Sequence, residues 1–145
     1  MDFSASIKAF TDATTKQILD VKKEAAGEVL TRIVDRSPVG DPALWKTKPP
    51  PGYAGGRFKA NWRANIGSVD DGTTTAIDPD GSLTKQVGKS MIETATAEQD
   101  IYISNSLPYA VPLENGHSTQ APSGMVGITV VEFDDIVKQS AGRKE

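Results

Sequence analysis

Apolar residues at helical spacing fill the first quarter of the chain and limit what the remainder can be. Phe3, Ile7, Phe10, Ile18, Val21, Ala25, Val29 and Ile33 fall at three- and four-residue steps or their multiples, with Lys8, Lys16, Lys22, Lys23, Glu24 and Glu28 mostly off that line. The pattern predicts one long helix over residues 1–37, capped by Asp2 or Ser4. Ser37-Pro38 stops it, because a residue before proline avoids the helical region. Gly27 is its weak point unless a neighbour packs close there. So narrow a stripe does not sustain so long a helix by propensity alone; it must lie across a sheet or another subunit.

Residues 38–56 read as an extended arm. Pro42, Pro49, Pro50, Pro51, Gly52, Gly55 and Gly56 exclude regular structure, yet Leu44, Trp45 and Tyr53 are large apolar groups. An ordered arm that lays those side chains on another surface accounts for both facts. Phe58, Ala60, Trp62, Ala64 and Ile66 then alternate with Lys59, Asn61, Arg63 and Asn65, which predicts a strand over residues 57–69. Asp70-Asp71-Gly72 signals a turn and residues 73–77 a return strand. A middle helix is expected over residues 82–97 on the stripe Leu83, Val87, Met91, Ala95, and a third strand over residues 100–104. Val126, Val130, Phe133 and Val137 fit a short last helix, although the β-branched run 126–131 also suits a strand. The expected architecture is α+β in a single domain over residues 1–145: a small antiparallel sheet of three to four strands, packed by the long, middle and short C-terminal helices. Residues 57–139 hold that sheet and its helices, and residues 140–145 form a frayed tail.

Composition removes several kinds of chemistry. The chain has no cysteine, so disulfides, thiolate catalysis and sulfur-ligated metals are excluded. No apolar run approaches the ~20 residues of a membrane helix, and no membrane partner is expected. The net charge of −3, with acids and bases interspersed, gives no reason to expect a nucleic-acid binder. Arg57, Lys59 and Arg63 do interleave with Phe58 and Trp62 in the style of a single-strand platform, but in a strand the aromatics share the core face and the cations the other. Asp78-Pro79-Asp80-Gly81 lacks the twelve-residue ligand series of a calcium loop. One histidine and no cysteine leave zinc without its usual ligands, so neither metal nor cofactor is expected.

The densest segment runs from Pro108 to Val126 and holds the single histidine, His117, beside Tyr109, Glu114, Gly116, Pro112 and Pro122. Its density resembles that of an active site. No strand–elbow–helix motif strains a serine there, however, so no catalytic residue is assigned. It reads instead as a rigid corner: Pro108 and Pro112 interrupt any helix, Leu113 docks on the core, Glu114 faces outward, Gly116 turns left-handed, and Ser123 caps the last helix.

Taken in order, Ser37-Pro38-Val39-Gly40, Tyr53-Ala54-Gly55-Gly56-Arg57-Phe58-Lys59-Ala60-Asn61-Trp62, Asn105-Ser106-Leu107-Pro108-Tyr109-Ala110, Leu113-Glu114-Asn115-Gly116-His117-Ser118 and Gln120-Ala121-Pro122-Ser123-Gly124-Met125-Val126 fall within residues 30–135. This series of blocks resembles the neck and tail-completion proteins of tailed bacteriophages, the group related to minor tail protein Z. The resemblance implies a virion structural protein without enzymatic activity, made in the bacterial cytoplasm and placed at the head–tail junction. It further implies a homo-oligomeric ring, a hexamer being the leading stoichiometry, between the connector and the tail-tube or terminator proteins. DNA would pass the lumen without specific binding. A tail terminator is the neighbouring alternative, and a nucleic-acid-binding module the alternative of a different class. On the ring reading, the Leu44–Tyr53 arm and the Pro108–Ser118 corner meet neighbours, with Trp45, Tyr53, Tyr109, Glu114 and His117 as contact residues.

Overall fold

The computed structural model describes residues 3–40 and 55–142. Its elements in chain order are α1 (Phe3–Arg36), α2 (Arg57–Ala60), β1 (Arg63–Ile66), α3 (Ser82–Ile92), β2 (Ile101–Ser104), α4 (Ala110–Glu114), α5 (Val126–Val131) and α6 (Phe133–Gly142). The fold is α+β, with one long helix and, among the described residues, a two-stranded antiparallel sheet. The middle and last helices are present. Trp45, Tyr53 and the other residues of the expected Leu44–Tyr53 arm lie outside the described residues.

α1 ends where Ser37-Pro38 predicts, and the stop is built into the core. The Ser37 hydroxyl donates to the Ile33 carbonyl (2.7 Å), and the Trp62 indole N–H donates to the same hydroxyl (2.7 Å). This relay fixes the helix terminus to the start of β1. Around it Leu30, Ile33 and Val34 join Phe58, Trp62 and Ala64, Ile92, Leu107 and Met125 in one buried cluster. At 34 residues α1 is about 51 Å long. A compact chain of this size has a radius of gyration near 15 Å, by a scaling of about 2.2·N^0.38. The helix therefore overhangs the body, and its side chains from Ser4 to Ile18 are all exposed. The stripe is expected to lie across a sheet or another subunit; its second half packs instead on α3, α5 and α6.

The sheet is smaller than expected because two segments spend their backbone groups elsewhere. Residues 57–60 form a helical turn behind Gly56, whose φ of 112° starts it. Phe58 and Trp62 still share a buried face, since a separation of four serves a helix as well as a strand. Lys59 is buried rather than solvated. The expected return strand over 73–77 is absent: the Thr74 N–H donates to the Asn61 side-chain carbonyl (2.8 Å), and the Asn61 amide donates to the Thr74 and Arg57 carbonyls. Asn61 is fully buried, so this side chain does the work of a strand pairing. β1 and β2 pair in the register Ala64 with Ile103 and Ile66 with Ile101.

α3 is present but ends at Ile92, and it is rotated relative to its expected stripe. Leu83, Val87 and Met91 are exposed, while Thr84, Gly88 and Ile92 face the core. The Asp78 carboxylate sets this phase by accepting both the N–H and the hydroxyl of Thr84 (2.7 Å each). Asp80 accepts the Ser82 N–H (2.9 Å), so Asp78-Pro79-Asp80-Gly81 is the cap of α3. Gly88 then admits Leu30 of α1: a Cβ there would sit 2.4 Å from Leu30 Cδ2. The last helix is likewise split at Glu132 into α5 and α6, and α6 runs past the expected boundary at 139 as far as Gly142.

α1 is fastened to that split by charge. Arg36 donates to Thr129 Oγ1 (2.7 Å) and Glu132 Oε2 (2.9 Å), and Arg32 joins Glu28 (2.9 Å) to Glu132 (3.4 Å). The Arg36 hydrogen bond, only partly opposed by burial, holds the Glu132 carboxyl below its ordinary value.

Two glycines on the α1–α3 contact should answer differently to one added methyl. At Gly27 a Cβ finds only the Lys89 stem at 3.8 Å, so Gly27→Ala should stabilise the fold by up to ~1 kcal/mol through helix propensity. Gly88→Ala must displace buried Leu30 and should cost about 1–3 kcal/mol. Urea unfolding of the two variants checks both signs.

Candidate interaction surface

The Pro108–Val126 corner is a buckle whose parts hold one another. α4 forms across it despite Pro112, because the third position of a helix has no intrahelical N–H partner to lose. Glu114 does not face outward. Its carboxylate accepts the N–H groups of Met125 and Val126 (2.8 Å each) and Gly127 (3.0 Å), which makes Glu114, not Ser123, the cap of α5. Partial burial of Glu114 opposes ionisation, but the three N–H donors outweigh it and hold the carboxyl below its ordinary range. Gly116 (φ 87°) and Gly124 (φ 78°) let the two limbs close: a Cβ at either would lie 2.5–2.6 Å from the Pro122 or Glu114 carbonyl oxygen. Gln120 reaches back to α1's exit, accepting the Val39 N–H (3.0 Å) and donating to the Val39 carbonyl (2.8 Å). The density of unusual residues therefore has a mechanical cause.

Of the five residues assigned to contacts from sequence, three fall among the described residues. Tyr109 is partly exposed and its ring leans on Phe58, with centroids 5.9 Å apart. His117 is exposed, and its backbone N–H donates to the Pro112 carbonyl (3.2 Å). Glu114 is committed to α5. The cations of the interleaved segment are also engaged: Arg57 donates to the Thr74 carbonyl (3.1 Å), Lys59 is buried, and Arg63 meets Asp70 (3.3 Å).

Exposed apolar surface lies elsewhere among the described residues, in three places. The overhanging half of α1 presents Ile7 and Phe10, which are 52% and 73% exposed. The outer face of α3 presents Leu83, Val87 and Met91. On α5, Val130 and Val131 stand in solvent beside Phe133 of α6. Between the second half of α1, β2 and the start of α6 runs an open groove of about 660 Å³, walled by Val21, Ala25, Val29, Ile101, Ile103, Phe133 and Val137. Its polar lining is Lys22, Asp100 and Tyr102, and the Lys22 ammonium donates to the Ala97 and Gln99 carbonyls. Such a lining suits contact with an apolar partner. Among the described residues no cluster of three or more metal-ligating side chains occurs, and no helix is long and apolar enough to cross a membrane. No family model, curated protein or solved structure matches this chain.

The Glu114 cap makes a pH-dependent prediction. Its folded pKa lies below the unfolded value of about 4.3, so its stabilisation is complete above that value and is lost as pH falls through the folded pKa. Glu114→Gln should be less stable than the parent by about 1 kcal/mol at pH 7. The gap should close as the pH falls below 4, which thermal melts across that range would measure.

Proposed function

We propose that this chain is a structural subunit of a homo-oligomeric ring at the head–tail junction of a tailed bacteriophage, acting by assembly and not by catalysis. The observation that carries this reading is the exposure of Ile7 and Phe10 on α1 and of Leu83, Val87 and Met91 on α3. Two separate helical faces with large side chains in solvent are unusual for a protein that works alone; contiguous apolar patches mark association sites. A chain whose hydrophobic share is 37% cannot spare such residues from its own core without another use for them. The order of the sequence blocks supplies the kind of assembly, and the separate faces supply its logic: one surface joins neighbours in the ring, another meets the connector or the tail tube. DNA passes through the opening without a specific site. The engagement of Arg57, Lys59 and Arg63 within the fold gives a nucleic-acid-binding alternative no support.

Light scattering after size exclusion, over a concentration series, tests the reading. A discrete species of ring mass, sixfold for a hexamer, is the expected result. A monomer at every concentration that also fails to bind tail tubes of its phage would remove it. Leu83→Lys with Val87→Lys should leave the melting temperature nearly unchanged, because both side chains already stand in solvent at 62% and 61% exposure. The same pair should abolish joining to the connector or tail, read by co-sedimentation.

A further inference from the structure

We infer that the groove between α1, β2 and α6 receives the overhanging N-terminal half of α1 from a second copy of this chain. The inference rests on the ring reading and specifies the contact that closes the ring. Donor and acceptor are matched in shape, in charge and in what the chain cannot do by itself.

The donor is the segment from Ile7 to Thr14. Ile7, Phe10 and Thr14 follow steps of three and four, so they share one face of the helix. The Thr14 hydroxyl donates to the Phe10 carbonyl (2.9 Å), which leaves its methyl group for contact. The acceptor floor is made small by Ala25 and Ala26 and is flanked by Val21, Ile101 and Ile103. A floor of alanines between branched walls admits a ring such as that of Phe10. The donor cannot fill the groove of its own chain. Residues 3–26 contain neither glycine nor proline, and α1 is continuous from Phe3 to Arg36, so there is no hinge at which its first half could fold back onto its second. An occupant carrying this stripe must therefore come from another molecule.

Charge agrees with that assignment. Asp100 lines the groove, and Asp134 and Asp135 follow Phe133 in the first turn of α6, both exposed. Lys22 is turned to backbone carbonyls and Lys138 follows one turn later. On the donor, Lys8 is paired with Asp12 (2.7 Å), whereas Lys16 makes no ion pair among the described residues. Lys16, two residues past the donor segment, is thus available to a carboxylate on the acceptor side, where Asp100 lines the groove. Donor and acceptor are different surfaces, so head-to-tail repetition of the contact builds a ring where its rotation closes, and reciprocal exchange between two copies is the competing product that the mass in solution separates.

Cysteine cross-linking tests this without background, since the chain has no cysteine. Thr14→Cys and Asp100→Cys chains, mixed and mildly oxidised, should give a mixed covalent dimer, and the doubly substituted chain a ladder ending at the ring. Phe10→Asp should weaken self-association by about 30-fold, the scale of a hot-spot residue. Its melting temperature at a dilution where the parent is monomeric should not change. A ring that forms normally with Phe10→Asp and yields no mixed cross-link would overturn the docking and leave the ring reading intact. Cross-linking of Thr14→Cys to itself would overturn it in favour of α1–α1 pairing between two copies. A parent that stays monomeric at every concentration and fails to bind tail tubes, with cysteine variants that give no cross-link, would overturn both.

Discussion

The close approach of Leu30 to Gly88 sets the geometry on which the other elements depend. It brings α1 and α3 together with no side chain of α3 at the contact, so that Ile92 and Val34 join Trp62 and Phe58 in the same interior. A two-stranded sheet is marginal by itself. Here β1 and β2 persist because Ala64 is buried against that helical pair and Ile101 and Ile103 pack at its edge. Other elements are fastened to the end of α1 and the residues just after it: α5 and α6 through Arg36 and Glu132, the corner through Gln120 and Val39, and β1 through Trp62 and Ser37.

This concentration of contacts divides α1 into two parts with different physical tasks. From Ala25 onward its side chains are mostly enclosed, and the helix serves as the wall of the core. From Ser4 to Ile18 its side chains stand in solvent, and the exposed Lys8–Asp12 pair there contributes little in water. A helix of such length is carried by nucleation from the packed end, since propagation is far less costly than initiation. The buried third thus holds the free half in shape for whatever it meets.

How much of this was legible in the sequence depended on whether a residue's role was local. Ser37-Pro38 marks the end of α1 because both act on the adjacent backbone, and Ile101–Ser104 reads as a strand because its residues allow little else. Phe58 and Trp62 have the right burial and the wrong element, since a spacing of four does not separate a strand from a helical turn. The phase of α3 was hidden for a different reason. Hydrophobicity selects Leu83, Val87 and Met91, whereas packing selects Gly88 for its closeness and Thr84 for the hydrogen bonds it donates to Asp78. Glu114 was misplaced because its partners are eleven to thirteen residues away, beyond any local pattern. The dense corner announced itself by composition, yet its chemistry is that of a clasp.

The misread stripes also say where to look for function. A helix face that is apolar in sequence and exposed in the fold is a conflict between local pattern and global structure, and such conflicts concentrate where a protein meets something else. On α3 the conflict arises because the small face won the core, leaving the large face for another surface. On α1 it arises because the helix is longer than the body it builds. Both leave large side chains in water at a cost that a monomer has no reason to bear. On the proposed ring reading that cost is removed when neighbouring chains cover them, and the exposed α1 face and the open groove are the two halves of one contact.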